Sequence, residues 1–375
     1  MLNKLDKKLK MLILGAIGII VFLILIALLI YFIANRKVGY DGVETKMIAA
    51  AEKYYAANSN KLPQIEGNST EVSLDTLVSE GYMKEVSKYV KDKNVSCSGR
   101  VTVTKSKETL NYSPYLNCGD QYKTTFLYEE LKKDLVTSGD GLYEMSLTSV
   151  DDSGNKTLKP FYVYRGDYVD NFISIEDKIW RVVKLDDRNN MMIIYNGTDL
   201  ESIWDDRFNA EKNSDTGIND YELSRIKKNI EDIYHSEIFS TTFKNKLVKY
   251  NACVGKRSSS SIANDGSIEC SKVLKDQYFA LLATYDFMNA SLDKTCKKLD
   301  DLQCSNYNYL SAYDRTWSFM TGDADTTHKI YKYSGNILSK GNARNNSRLR
   351  LVAYLNKNVS IISGSGTELD PYIVK

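Results

Sequence analysis

The sequence lacks the features that mark several large classes of protein. It has only two histidines and no His/Cys cluster with metal-ligand spacing, so it offers little for a zinc site or a histidine-based catalyst. It also has no basic block: residues 1–35 carry four Lys against one Asp, and the rest of the chain holds 46 basic and 47 acidic groups. A near-neutral body lacks the electrostatic footprint of nucleic-acid-binding proteins. We therefore expect no cofactor, no metal site and no nucleic-acid partner.

The composition that remains is that of folded protein. The chain has 375 residues, of which 43% are hydrophobic and 26% are charged. This length is enough for two modest globular domains, and these fractions argue against disorder. No repeat of fixed period and no low-complexity tract is present.

Residues 11–34 form a run of 24 residues without a charge. At about 1.5 Å per residue, a helix of this length exceeds the ~30 Å hydrocarbon core of a bilayer. The apolar part of a cleavable signal peptide has only about 7–15 residues, and no cysteine follows this run as a lipoprotein signal requires. We predict that residues 11–34 are a retained transmembrane helix in contact with the lipid bilayer, preceded by a cytoplasmic tail of residues 1–10.

The cysteines favour an extracellular location for the rest of the chain. All six follow the apolar run, at Cys97, Cys118, Cys253, Cys270, Cys296 and Cys304. An even number in sequence-adjacent pairs is typical of an oxidising exterior, whereas six unrelated buried thiols in a cytosolic domain are the alternative. We predict a single-pass protein of the cell membrane with its N-terminus in the cytoplasm. Pairing between sequence neighbours is the preferred connectivity but not the only one possible.

A first extracellular domain is predicted over residues 38–123. Apolar residues recur at helical spacing over Val43–Ala57, and Ser73 and Gly81 are placed as the cap and the stop of a short helix. Two β-rich runs follow and predict a hairpin between the first two cysteines. Residues 124–141 are predicted to be a connecting helix and a linker, because Thr137–Gly141 is rich in turn residues.

Residues 142–375 have the pattern of an α+β domain. Four β-rich runs are followed by two predicted helices, one starting at Asn219 and one spanning residues 274–288. Further β-rich runs come after Cys304, so strands from both ends of this region can meet in one sheet. The predicted fold class is therefore α+β throughout, with disulfides stapling the second domain.

Five segments of the second domain carry a resemblance to known proteins. In order they are IWRVV (179–183), FALLATYDFMNAS (279–291), CSNYNYLSAYDRTWSFMTG (304–322), RLRLVAYL (348–355) and GSGTELDPY (364–372). This order resembles uncharacterised surface domains of Gram-positive gut bacteria and, through them, the C-type-lectin-like fold shared with formylglycine-generating enzymes. The calcium-binding motifs of such lectins and the catalytic cysteine pair of those enzymes are absent. The resemblance therefore implies a fold and no site residues.

The first domain is more loosely similar to type IV pilins and pseudopilins. An apolar helix runs into an amphipathic one, and then come LVSEGY (77–82) and the predicted disulfide-tied hairpin. The processing site of that family, Gly-Phe-Thr followed by a Glu inside the apolar run, is missing. The resemblance implies a pilin-like head on an anchored protein.

Two aromatic and polar segments are the candidate ligand contacts. The first contains Trp204, Asp205, Asp206 and Arg207, and the second contains Tyr307, Tyr309, Tyr313, Arg315 and Trp317. Tyr and Trp suit contacts with sugars and proteins, because one ring supplies apolar area and a polar tip. The alternative is that Trp204 anchors the core with Arg207 paired to an Asp, and that the tyrosines fill a disulfide-rich interior.

Two functions are compatible with these patterns. The first is a non-enzymatic surface protein whose lectin-like head binds a glycan, a cell-wall polymer or a protein partner. The second is a minor pseudopilin-like component of a secretion or DNA-uptake machine. No complete catalytic constellation is present in the sequence, so catalysis is not expected.

Overall fold

The computed structural model describes residues 14–26, 37–106, 109–299, 302–313, 315–335 and 337–375. The chain is mixed α+β and contains three disulfides, as the sequence predicts. It divides into two compact units. Unit 1 contains residues up to Gln64 together with 68–104 and 112–124, and unit 2 contains residues 65–67, 105–111 and 125–375.

The predicted membrane span, residues 11–34, lies partly outside the described residues. Residues 14–26 belong to it, are described and are helical. Across the described ranges, no helix is both long enough and apolar enough to cross a membrane.

Unit 1 is built from one long helix and a three-stranded sheet. Apolar side chains of α1 at Val43, Met47, Ala51 and Tyr55 are buried, which confirms the predicted amphipathic helix. The Met47 methyl group approaches the sheet at Gly99, where a Cβ atom would lie 3.2 Å from it. The sheet order is β1-β2-β3. The elements are α1 (Tyr40–Ala57), β1 (Ser69–Ser73), α2 (Leu74–Ser79), β2 (Ser98–Ser106) and β3 (Thr109–Asn117).

The start and the end of α2 are as predicted. The Ser73 side chain accepts a hydrogen bond of 3.0 Å from the Thr76 amide, which satisfies one of the free N–H groups at the helix start. Gly81 has a φ of +79°, the left-handed conformation that follows many helices and suits glycine.

Unit 2 contains four helices and sixteen strands among its described residues. The helices are α3 (Leu127–Leu131), α4 (Arg225–His235), α5 (Thr241–Lys244) and α6 (Thr284–Ala290). The strands before α4 are β4 (Gly141–Val150), β5 (Lys156–Arg165), β6 (Phe172–Ile175), β7 (Lys178–Leu185), β8 (Met191–Tyr195) and β9 (Glu201–Ile203). Those after α5 are β10 (Leu247–Val248), β11 (Tyr250–Cys253), β12 (Val273–Gln277), β13 (Trp317–Gly322), β14 (Lys329–Ser334), β15 (Ile337–Asn342), β16 (Asn346–Arg348), β17 (Val352–Leu355), β18 (Ile361–Ser363) and β19 (Tyr372–Val374).

Strands from both ends of unit 2 meet in one nine-stranded sheet, as expected from the sequence. Its main path runs β10-β17-β8-β7-β6-β19-β18, and the β4–β5 hairpin joins it through β7. The centre of this sheet is buried, since all residues of β8 are almost completely shielded from solvent. A five-stranded sheet in the order β15-β14-β13-β16-β9 and the pair β11–β12 complete the unit.

The structure corrects three helix predictions. The predicted helix 274–288 is the strand β12 followed by α6, and between them Ala280 pairs with Val352 as extended chain. Residues 278–288 are all buried, so their apolar spacing carries no reliable period. The helix expected from Asn219 begins at Arg225, because the Ser224 side chain caps it.

The connecting segment differs from its prediction as well. α3 has five residues and is followed by a short 3₁₀ turn, Lys132–Asp134. The segment predicted as a linker leads directly into β4, and the Val136 amide donates to the Leu142 carbonyl at 2.9 Å. Residues 125–141 belong to unit 2 by their contacts.

The three disulfides join sequence neighbours, as the preferred connectivity predicts. They are Cys97–Cys118, Cys253–Cys270 and Cys296–Cys304. The first ties the base of the β2–β3 hairpin, and the other two close loops in unit 2.

Replacing Cys253 and Cys270 with serine is expected to lower the free energy of unfolding of unit 2 by about 2–4 kcal/mol, because the disulfide restricts the unfolded chain. The measurement is urea unfolding followed by tryptophan fluorescence, which reports unit 2 since Trp180, Trp204 and Trp317 all lie there.

The matched control is the serine pair at Cys296 and Cys304. Its separation is 8 residues against 17 for the first pair, so chain entropy alone makes its loss about 0.7 kcal/mol smaller. A larger loss from the control pair would contradict this account.

Candidate functional site

A surface cleft of about 440 Å³ lies in unit 2. Its volume lies within the range of small-molecule sites. Two aromatic rings, an amide, two carboxylates and one ammonium group meet there. The lining residues are Phe172, Asp177, Lys178, Ile179, Tyr195, Asn196, Gly197 and Glu368.

A strained hairpin turn forms one side of the cleft. β6 and β7 pair in register from Ile175 opposite Lys178, which leaves only Glu176 and Asp177 to connect them. Their φ values are +51° and +61°, as a two-residue turn with the twist of the strands requires. Positive φ is costly for a residue such as Glu, and strain of this kind clusters at functional sites. The turn brings Asp177 and Lys178 to the cleft.

The end of β8 forms the opposite side. The Tyr195 hydroxyl donates to an Asp199 carboxylate oxygen at 2.8 Å, which fixes the ring. Burial raises the pKa of Tyr195, and the bond to Asp199 raises it further. At Gly197 a Cβ atom would lie 2.2 Å from the Tyr195 ring, so only glycine permits this close approach. The backbone N–H of Asn196 donates to the Ile179 carbonyl at 3.0 Å and holds the loop against β7.

The C-terminal turn supplies Glu368. Gly366 has a φ of +83°, and its carbonyl accepts from the Phe172 amide at 2.8 Å. The turn is closed by the Ser365 and Gly366 amides, which both donate to the Asp370 carbonyl at 3.0 Å. β19 then pairs in parallel with β6, so the sheet brings Glu368 beside Phe172 across nearly 200 residues of sequence.

Two arginines lie directly behind the lining residues. The Arg181 guanidinium packs between the rings of Phe172 and Tyr309, at 4.1 and 4.5 Å from their centroids. The Arg350 guanidinium packs against Tyr313 at 4.2 Å and Trp317 at 5.2 Å. Both are cation–π contacts, and both arginines are buried.

The segment Trp204–Arg207 lies away from the cleft. Trp204 is fully buried, and its indole N–H donates to the Phe319 carbonyl at 2.9 Å. Asp205 is also buried and accepts from Arg207 Nε and from the Ile218 amide. These contacts match the alternative in which Trp204 anchors the core. Asp206 pairs with Arg225 in a more exposed position, and ligand contact by Asp206 and Arg207 stays a prediction.

The aromatic segment after Cys304 divides between the core and the surface. Tyr309 and Trp317 are buried and contact the two arginines, so their side chains present no surface to a ligand. Tyr313 supports the cleft, because its hydroxyl donates to the Gly197 carbonyl at 2.6 Å. Tyr307 and Arg315 are exposed and are not among the residues that line the cleft. Ligand contact through these two residues stays a prediction.

The sequence prediction missed all eight lining residues and both arginines. One local signal was available for the arginines. Arg181 and Arg350 interrupt the apolar segments Ile179–Val183 and Leu349–Leu355. A charge within a buried strand is costly unless other groups pair with it or hydrogen-bond to it, so each arginine indicates a polar site nearby. For Glu368, only the parallel pairing of β19 with β6 brings it to the cleft.

The described part of the chain contains no group of three or more His, Cys, Asp or Glu side chains that could hold a metal ion. Comparison with protein-family models, with curated proteins and with solved structures gives no match for this chain.

Proposed function

We propose that this protein is a membrane-anchored, extracytoplasmic surface protein whose lectin-like second unit binds a glycan or a cell-wall polymer in the cleft around Tyr195. The observation that carries this proposal is the composition of the cleft. The small exposed parts of the Phe172 and Tyr195 rings offer apolar contact to a sugar, and Asn196, Asp177 and Glu368 offer polar groups for its hydroxyls.

The location outside the cytoplasm is supported by the three disulfides, which persist in oxidising compartments. The anchor is supported by the uncharged run of residues 11–34.

We expect the protein to remain with the membrane fraction after an alkaline wash. We also expect protease added to intact cells, after wall removal, to digest residues 38–375. A protected C-terminal part would reverse the proposed orientation.

The binding proposal is tested with the full-length protein in a zwitterionic detergent that carries no sugar. A panel of glycans and cell-wall fragments is titrated against it, with calcium and with chelator. We expect selective binding, and we expect Glu368→Gln to weaken it about tenfold or more, because a carboxylate hydrogen bond contributes roughly 1.5–3 kcal/mol.

The matched control is Glu237→Gln, which changes an exposed carboxylate that does not line the cleft. It is expected to leave binding unchanged. Binding that Glu237→Gln and Glu368→Gln reduce equally, or no binding to any member of the panel, would overturn the proposal.

A role as a minor pseudopilin-like component is the second candidate. The observation that favours it is the architecture of unit 1, in which α1 packs on a three-stranded antiparallel sheet tied by Cys97–Cys118. It predicts an N-terminus that is trimmed before Met11 or N-methylated. An intact, unmodified N-terminus on the protein isolated from its cells would contradict that role.

A further inference from the structure

Arg350 is a buried cation whose hydrogen bonds are largely unmade. It is 2% exposed, and a guanidinium has five N–H donors. Its Nε donates to the Tyr195 carbonyl at 3.4 Å, its Nη2 donates to Asn196 Oδ1 at 3.3 Å, and its Nη1 has no partner. Both bonds are long for a charged donor, which normally lies at about 2.7–2.9 Å from its acceptor.

Arg181 lies near Arg350, and it also has no carboxylate partner. Its Nε donates to Asn171 Oδ1 at 2.8 Å, and its Nη2 donates to the Val169 carbonyl at 3.3 Å. Tyr309, which packs on Arg181, has a buried hydroxyl without a hydrogen-bond partner. Two like charges and an unsatisfied hydroxyl thus share one buried region.

Two other buried cations of unit 2 are neutralised by carboxylates. Arg257 contacts both carboxylate oxygens of Glu269, and Lys184 lies 2.6 Å from an Asp286 oxygen. The two arginines behind the cleft instead donate to neutral carbonyl and amide oxygens. Burial lowers the pKa of Arg181 and that of Arg350 to about 10, and for Arg350 the charge of Arg181 adds to the lowering. Glu368 and Asp170 act on Arg181 only from a distance.

The acceptors that Arg350 does use belong to the cleft. Tyr195 and Asn196 both line it, and Tyr313, which covers the Arg350 guanidinium, is bonded to the third residue of that segment, Gly197. Asn196 is partly exposed. Asn196 therefore both lines the cleft and contacts the Arg350 guanidinium.

We propose that Arg350, supported by Arg181, is the receptor for an anionic group, a carboxylate or a phosphate, on the ligand that occupies the cleft. This inference rests on the proposed function, since it names the chemical class of ligand for the same cleft. The anion takes the place of Asn196 Oδ1 as acceptor, so that the long bond from Arg350 Nη2 is replaced by two short, charge-assisted bonds from the guanidinium. It also supplies the counter-charge that a buried cation requires.

The test uses the full-length protein in the same sugar-free detergent. Its unfolding midpoint is measured by tryptophan fluorescence in sodium phosphate, sodium glucuronate, sodium chloride and glucose, with the three salts at matched ionic strength. A ligand that binds only the folded state raises the midpoint. We expect phosphate or glucuronate to raise it beyond chloride and to bind at least tenfold more tightly than glucose. The stronger of the two identifies a phosphate-bearing or a uronate-bearing polymer.

Two variants locate the effect. Asn196→Asp places a carboxylate beside Arg350 Nη2, and we expect it to raise the midpoint without added anion and to weaken anion binding at least tenfold. Arg350→Lys keeps the charge but removes the fork, and the same loss of binding is expected. Glu237→Gln is expected to behave as the wild type.

Four outcomes would overturn the inference. One is an equal response of the wild type to phosphate, glucuronate and chloride. Another is anion binding that survives unchanged in Asn196→Asp. The third is binding of neutral glycans that Glu368→Gln weakens while the anions have no effect; in that case the proposed function stands and only this inference fails. No binding of any glycan or anion by the wild type overturns both.

Discussion

Replacing Arg257 with methionine is expected to lower the free energy of unfolding of unit 2 by about 3–5 kcal/mol. The Arg257 and Glu269 side chains have no exposed surface, and Arg257 Nε lies 2.8 Å from Glu269 Oε1. The guanidinium also donates to the Ala263 carbonyl at 2.6 Å, inside the loop closed by Cys253–Cys270. Methionine fills similar volume but leaves a buried carboxylate without its counter-charge.

The double variant Arg257→Met, Glu269→Leu separates charge burial from packing. It removes both charges, and we expect it to regain more than half of the loss, because apolar replacement of a buried pair is often neutral. Lys228→Met, which breaks the exposed pair with Asp232, is the surface control and is expected to cost at most about 0.5 kcal/mol. A loss below about 1 kcal/mol for Arg257→Met would contradict the account.

Replacing Lys184 with methionine is expected to have an effect of similar size, about 3–5 kcal/mol. Lys184 Nζ lies 2.6 Å from Asp286 Oδ1 and 2.9 Å from the Tyr285 hydroxyl, and both charged side chains are 2% exposed. The second oxygen, Asp286 Oδ2, has no hydrogen-bond partner. The buried negative charge of Asp286 is therefore balanced by the positive charge of Lys184.

The pH dependence of this variant has a definite sign. Burial raises the pKa of Asp286, and the charge of Lys184 opposes the rise. Without Lys184 that pKa rises further, so the carboxyl becomes neutral at a higher pH and the cost of an unpaired charge disappears. The deficit of Lys184→Met relative to the wild type is thus expected to shrink as pH falls from about 7 to about 4. A deficit that grows over this range in urea unfolding would contradict the assignment.

Local patterns in the sequence predicted local structure well. The cap at Ser73, the amphipathic face of α1 and the pairing of neighbouring cysteines each depend on residues close together in the chain. The turn between β7 and β8 also depends on neighbouring residues, since Asp186 accepts from the amides of Arg188 and Asn190. Such signals need no knowledge of the tertiary fold.

Predictions from the same kind of pattern were wrong where the segment is buried on several sides. Residues 274–290 have apolar side chains that face protein in every direction, and a helix and an extended strand then look alike. Trp204 and Trp317 are of a residue type common in binding surfaces, but both are buried in the core. A large aromatic ring suits ligand contact and core packing equally well. Only the three-dimensional contacts distinguish the two roles.

The cleft could not be predicted for a different reason. Phe172, Tyr195 and Glu368 are unremarkable in their local sequence, and each is brought to the cleft by a separate strand or turn. Arg181 and Arg350 carried a signal, a charge within an apolar strand, but their partners lie far away in the sequence. The site is a property of the nine-stranded sheet and not of any single motif.

The most direct test of the central claim is hydrogen–deuterium exchange of the full-length protein, with and without the tightest-binding member of the glycan and polymer panel. The account predicts slower exchange in peptides covering residues 172–179 and 195–197 when the ligand is bound, since these segments line the cleft. Protection confined to residues 204–207 or 307–317, with no change around the cleft, would contradict it.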